Sequence, residues 1–352
     1  MFLLWKSKNR YDKITTGKRV SSMDDALFIY SKARNKKMTI LQNKITELCD
    51  TVHQVIVGKE ETVDLLVTAL LADGHVLLED VPGTGKTKLA RTLAAALGVT
   101  FARIQFTPDL LPTDLTGLHV FDQQKQAFVL HKGPVFTNIL LADEINRATP
   151  RTQSGLLECM EEHQVTLDGE QMALEAPFFV LATQNPIETA GTFPLPEAQL
   201  DRFMMKLSMG LPEKEEEIRI LQRFMRDDPM EQIRPVLTGK ELSQMRKEAM
   251  NVYVAPVLLE YLVDIVEQTR RDEKISMGVS PRGSLAYLRA VRAYAYMQGR
   301  DYVNPDDIKK LAVPVLAHRL VTSYGVQQTE NGQKLIEDLV GRVPVPTEEF
   351  HK

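Results

Sequence analysis

Apolar residues recur along this chain in two rhythms. Five short, nearly unbroken apolar runs stand out: Val76–Glu79, Phe101–Phe106, Ile139–Asp143, Phe178–Thr183 and Met204–Met209. Runs of that length without polar alternation fit strands buried on both faces of a parallel sheet. The stretches between them carry helical spacing, as in the Ala/Leu-rich Lys88–Leu97, and would supply right-handed crossovers. Ahead of the first run, Ile40, Leu41, Ile45, Leu48 and Val52 mark one helix and Glu60 to Ala72 a second, with the corner Val55-Ile56-Val57-Gly58 between them. After Leu211 the strand signals stop. Pro212 opens a charged helix, Glu213 to Met225, and helical patterns follow at Gly239–Met250, Pro256–Arg271, Pro281–Gln298 and Pro305–Leu320. Ser280-Pro281 has the form of a helix start, with serine as N-cap and proline in the first turn.

The pattern therefore predicts three regions. Residues 1–37 are polar, basic and without clear periodicity, the mark of a poorly ordered extension, and Met38 is a candidate start. Residues 38–211 read as an α/β core with a parallel sheet flanked by helices, and residues 212–352 as an all-α lid domain and C-terminal tail. Two inserts in the core read as β-hairpins. One is Leu118–Leu130, with the polar tip Gln123-Gln124-Lys125-Gln126. The other is Gln164–Glu175, turning at Asp168-Gly169.

Composition narrows the setting. The 352 residues are 43% hydrophobic and 26% charged, with a net charge of −4, so no global field draws the chain to nucleic acid or an anionic membrane. No apolar run is long enough to span a bilayer, and Phe2–Trp5 is too short for a signal-peptide core. Cys49 and Cys159 form neither a disulfide framework nor a metal-ligand spacing. The expected context is reducing and cytoplasmic.

The candidate chemistry begins at His75–Thr87, HVLLEDVPGTGKT. A strand, a glycine-rich turn and a helix follow one another, the context of a phosphate-binding loop. Pro82, Gly83, Thr84, Gly85, Lys86, Thr87 and Lys88 are the expected ATP-binding segment. Its N–H groups and helix N-terminus would cradle phosphates, Lys86 would reach the β- and γ-phosphates, and Thr87 would hold Mg²⁺. The usual motif has glycine where this chain has Asp80, whose carboxylate would repel phosphates and is expected to point away. Val57 and Gly58 in the preceding corner fit either an adenine pocket or ordinary core. The strand Ile139–Asp143 delivers Asp143, a Mg²⁺ ligand, and Glu144, which would orient the attacking water. A later strand ends near Asn185, a candidate partner of the γ-phosphate or the water. Arg202 would be a surface arginine in a monomer but an arginine finger in a ring, and Arg282, on a lid helix, is expected to point back to the nucleotide.

Four segments together resemble the MoxR family of AAA+ ATPases: LLEDVPGTGKT, LLADEINRATPRTQSGLLECMEE, FFVLATQNPIETAGTFPLPEAQLDRF and SPRGSLAYLRAVRAYA. The resemblance covers about residues 40–345, leaves residues 1–37 without a counterpart, and tolerates a non-glycine at position 80. It implies that Lys86 is the Walker A lysine, Asp143 and Glu144 the Walker B pair, Asn185 sensor 1, Arg202 the arginine finger and Arg282 sensor 2. It further implies ATP and Mg²⁺ as cofactors, a homo-hexameric ring, a von Willebrand factor A domain partner, and chaperone-like remodelling of a protein client. A nucleic-acid motor is the competing expectation. The hairpin tips Gln123–Gln126 and Asp168-Gly169-Glu170 argue against it, since neither suits phosphate binding. A regulatory module with little turnover would not need Glu144, Asn185, Arg202 and Arg282 together.

Overall fold

The structure, a computed structural model, describes residues 41–186, 191–225, 228–323 and 329–346. The expected extension over residues 1–37 lies outside the described residues. Helices α1 (41–53) and α2 (Glu60–Leu71) lead into β1 (Val76–Glu79). The phosphate-loop segment follows, then α3 (Lys86–Leu97) and β2 (Phe101–Gln105). A short helix α4 (Pro112–Thr116) precedes the first hairpin, β3 (Gly117–Asp122) and β4 (Ala127–Lys132). Next come β5 (Ile139–Asp143), α5 (Pro150–Glu162), the second hairpin β6 (Gln164–Leu167) and β7 (Glu170–Ala173), and β8 (Phe179–Gln184). α6 (Glu197–Leu200) and β9 (Met205–Leu207) complete the core.

β1, β2, β5, β8 and β9 form one parallel five-stranded sheet in the order β2-β5-β8-β1-β9. Leu77, Leu140, Val180 and Ala182 from its strands are fully buried, together with Phe106, Phe178 and Phe203, which explains the unbroken apolar runs. The register pairs Glu79 with Gln184 and Gln105 with Asp143, so the polar strand ends gather along one edge. In open α/β sheets that C-terminal edge is where ligands bind. β9 is shorter than the run Met204–Met209 for a local reason: the N–H groups of Met209 and Gly210 are taken by the Asp80 carboxylate rather than by a ladder.

The second region comprises α7 (Lys214–Phe224), α8 (Gly239–Ala249), α9 (Pro256–Arg271), β10 (Ile275–Met277), α10 (Pro281–Met297), α11 (Pro305–Leu316), β11 (Val321–Thr322) and α12 (Thr329–Arg342). It departs from an all-α expectation in the small antiparallel pair β10–β11. α12 falls where the sequence pattern had suggested no element, and Ile336, Leu339 and Val343 bury one face of its end.

Candidate functional site

The loop after β1 has the shape of an anion cradle. Gly83 and Gly85 adopt φ of +88° and +90°, which only glycine takes readily, and a Cβ on either would meet nothing within 4 Å. The space above the loop is open. α3 begins at Lys86 with no acidic residue in its first turn, so nothing on the helix offsets its positive end. Lys86 Nζ donates to the carbonyls of Asp80 at 2.9 Å and Val81 at 3.4 Å. Asp80 does point away. It is 4% exposed, and its carboxylate accepts from Ser208 Oγ at 2.8 Å and from the N–H groups of Met209 at 2.7 Å and Gly210 at 2.9 Å. The residue that breaks the motif thus ties the loop to the end of β9. Pro82 is exposed and Thr84 and Thr87 are half-buried beside it.

Two expected contributors sit differently. The Lys88 ammonium lies 3.7 Å from the centre of the Phe224 ring and 3.3 Å from Asp228, drawn off the loop to α7 and its successor. Val57 is buried, and Gly58 lies under Glu216, with which any Cβ there would collide. Protein fills that corner.

The acidic pair lies at the end of β5, on the same edge of the sheet and separated from β1 by β8. Asp143 Oδ1 accepts from Thr183 Oγ1 at 2.6 Å, and Oδ2 accepts from Arg103 Nη2 at 2.6 Å. Glu144 has φ of +56°, rare for a side-chain-bearing residue, and its N–H donates to the same Thr183 hydroxyl at 2.8 Å. Its carboxylate accepts from Gln105 Nε2 at 2.8 Å and pairs with Arg147 at 3.0 Å. Asn185 follows β8 directly and is half-buried. Arg103, Gln105 and Thr183 escaped the sequence reading. The alternation of Arg103 and Gln105 within the otherwise apolar FARIQF was the available signal, since both fall on one face of β2.

These donors suit a nucleotide with a hard divalent cation. Among the described residues no group of three His, Cys, Asp or Glu is placed to hold a metal ion by itself. One carboxylate (Asp143) and one hydroxyl (Thr87) are what Mg²⁺ needs when phosphates and water complete its octahedron.

The arginines are elsewhere. Arg202 pairs with Glu161 at 3.3 Å, and Arg282 pairs with the other oxygen of the same carboxylate. Both line a cleft of about 190 Å³ with Asp73, His75, Arg289 and Arg319. Asp73 and His75 precede β1, whereas the phosphate loop follows it. Four strand residues at ~3.3 Å each put ~13 Å between those ends. Arg202 is therefore remote from its own loop. So is Arg282, expected to point back to the nucleotide: α10 delivers it to the opposite edge of the sheet from its own loop. His75 anchors this edge. Its Nδ1 accepts from the Val180 N–H at 3.0 Å, leaving Nε2–H to donate to the Met160 carbonyl at 2.9 Å. Burial pushes its pKa down to about 4, so the ring is neutral. A larger cleft, about 460 Å³, lies between the segment around Leu195 and α11 and holds none of the expected site residues.

The two hairpins meet through His119 Nδ1 and Asp168 Oδ2, 2.7 Å apart. Phe121 and Phe128 pack edge to face at 5.4 Å and stay exposed. The lysines of the first hairpin are engaged nearby, Lys125 with Asp122 at 3.8 Å and Lys132 over the Phe136 ring. No helix among the described residues is long and apolar enough to cross a membrane.

Comparison with known proteins agrees with this arrangement. The profile described as "ATPase family associated with various cellular activities (AAA)" matches residues 75–205, and the AAA lid domain profile matches residues 267–339. Chaperone MoxR1 of Mycobacterium tuberculosis is 43% identical over 81% of this chain and 78% of its own length. Protein YeaC of Bacillus subtilis is 47% identical, over 84% of this chain and 93% of that protein. Protein MoxR of Paracoccus denitrificans is 32% identical over 83% and 93%. A crystal structure of a protein from Cytophaga hutchinsonii, 38% identical, covers 91% of this chain and all of that one at a TM-score of 0.83.

Proposed function

The chain belongs to the MoxR family of AAA+ ATPases, and from that premise we propose that it hydrolyses ATP at interfaces between copies of itself, Arg202 and Arg282 both acting on the neighbour's nucleotide. The observation that carries this reading is the separation of the two edges of the sheet. Lys86, Asp143 and Glu144 lie at one, and the two arginines share Glu161 at the other. In this reading Lys86 leaves the carbonyls of Asp80 and Val81 for the phosphates. Thr87 and Asp143 would hold Mg²⁺, which neutralises phosphate charge when bound. Glu144, fixed by Thr183, orients the water and accepts its proton, while Asn185 bonds the γ-phosphate. The neighbour's Arg202 and Arg282 exchange Glu161 for the oxygens on which charge develops. Base binding at Val57 and Gly58 requires Glu216 to shift.

The work done is remodelling of a protein client by a homo-hexameric ring, with a von Willebrand factor A domain protein as partner, in the manner suggested by the relative named a chaperone. The engaged lysines of the first hairpin and the acidic tip of the second favour a protein over a nucleic acid. The free, buried thiols of Cys49 and Cys159 support a reducing cytoplasmic setting.

Mixing two inactive variants tests the mechanism. Arg202→Ala and Glu144→Gln should each bind ATP and fail to hydrolyse it. Their mixture should recover part of the activity, increasingly with protein concentration, because some interfaces unite an intact Glu144 with an intact Arg202. Freely exchanging assemblies that stay inactive would refute action in trans.

A further inference from the structure

The segment bearing Arg202 is gripped by the second region of the chain rather than by the sheet alone. Arg319, in the turn after α11, has a side chain only 2% exposed. Its Nε donates to Asp201 Oδ1 at 2.7 Å, Nη2 to the Phe203 carbonyl at 2.7 Å, and Nη1 to the Met204 carbonyl at 3.2 Å. Nη2 also reaches the Asp201 carbonyl at 3.4 Å, so one guanidinium holds the backbone on both sides of Arg202. The other Asp201 oxygen accepts from Ser280 Oγ at 2.8 Å. Ser280 is the N-cap of α10, receiving the Gly283 N–H at 3.1 Å, and so fixes the turn on which Arg282 sits. The fit is close: a Cβ at Gly283 would lie 2.9 Å from Arg319 Cδ. Burial lowers the Arg319 pKa to about 10, which leaves it charged at neutral pH. A buried ion pair is seldom the most stabilising filling for such a site. What this one supplies is geometry, a planar fork that fixes directions.

We propose that the buried Asp201–Arg319 pair is a positioning device, locking Arg202 and Arg282 at one spacing so that both enter the neighbouring copy's ATP site together; the inference rests on the trans reading above. Arg319 and Asp201 touch no nucleotide themselves.

The test uses Arg319→Lys in the full chain, which keeps the charge and loses the fork. Folding is checked by circular dichroism and ATP binding by calorimetry. We expect ATP affinity within about threefold of the parent and hydrolysis at least tenfold slower. Mixed with Glu144→Gln, which donates intact arginines, Arg319→Lys should recover activity. Mixed with Arg202→Ala, which donates Arg282 without Arg202, it should not. A merely structural defect would weaken ATP binding or behave alike in both mixtures, and either result overturns the proposal, as does an unimpaired rate. Should Arg319→Lys fail to fold, Ser280→Ala, which removes one arm of Asp201 and the cap of the turn bearing Arg282 while leaving the Arg319 fork in place, is expected to show the same asymmetry with a smaller loss, and symmetry there overturns the proposal equally. The control mixture of Arg202→Ala with Glu144→Gln separates the two ideas. If it stays inactive the trans reading falls. If it recovers while Arg319→Lys behaves symmetrically, only the positioning role falls.

Discussion

Thr183→Val removes one hydroxyl and almost no volume from a residue with no exposed surface. That hydroxyl donates to Asp143 and accepts from the N–H of Glu144, so it sets both acidic residues of the site. It also holds Glu144 in its left-handed conformation, a state that costs a non-glycine residue roughly 1–2 kcal/mol and persists only when neighbours enforce it. A hydrogen bond to a charged group contributes about 1.5–3 kcal/mol. If that much is lost from the hydrolytic step, kcat falls about 10- to 150-fold. Stability should drop by about 1–3 kcal/mol, because the Glu144 N–H is left unpaired. Nucleotide affinity should change little, since Lys86 and the glycine loop are untouched. Phosphate release at saturating ATP, calorimetric ATP binding and urea unfolding separate these effects, and Thr183→Ser should restore most of the rate. A valine variant with kcat within twofold of the parent would refute the reasoning, as would a serine variant no better than valine.

Asp80→Gly restores the usual glycine of the motif, yet it deletes three hydrogen bonds to the end of β9. Urea unfolding should show a loss of about 3 kcal/mol, and equal stability would contradict the structural role assigned to Asp80. His75 has a folded pKa of about 4 against an ordinary 6.5. The unfolded chain therefore binds the extra proton first, and stability present above pH 6.5 is lost as pH falls toward 4. Between pH 7 and 5 the parent should lose about 2 kcal/mol more than His75→Asn, and parallel pH profiles would overturn this. Lys86→Met should weaken calorimetric ATP binding severely, because it removes the mobile cation beside the phosphates; parent-like affinity would argue against the loop as the phosphate site.

The phosphate loop, the acidic pair and the five sheet strands were legible because each is written in consecutive residues. Strand, glycine turn and helix succeed one another at His75–Leu97, and the apolar runs reveal burial on both faces. Even the turning away of Asp80 followed from charge alone, although its partners at Ser208–Gly210 did not. What the sequence withheld is whatever depends on register or docking. Thr183 reaches Asp143 only because β8 lies beside β5, and Gln105 reaches Glu144 only because β2 borders β5 on the other side. Helical periodicity in Pro281–Met297 says which face is buried but not which edge of the sheet receives the helix. That is why the expectation that Arg282 points back to the nucleotide carried no edge with it. The contacts of the Lys88 side chain were hidden similarly: its neighbours in space, Phe224 and Asp228, lie more than a hundred residues away.

On the proposed trans reading, the separation of loop and arginines across β1 gives each molecule two unlike faces, one that receives and one that donates. Joining such faces is a heterologous contact, and it has a direction. Repeated around a closed circle it leaves no face unmatched. Interrupted once, it leaves a single break with a nucleotide site bare on one side and a pair of arginines idle on the other. An open chain of n copies then has one fewer complete site than it has subunits, while a closed circle has as many sites as subunits. Closure itself becomes measurable as catalytic stoichiometry, and a partner that seals or pries open one joint can change the output of the assembly without touching any residue of the chemistry.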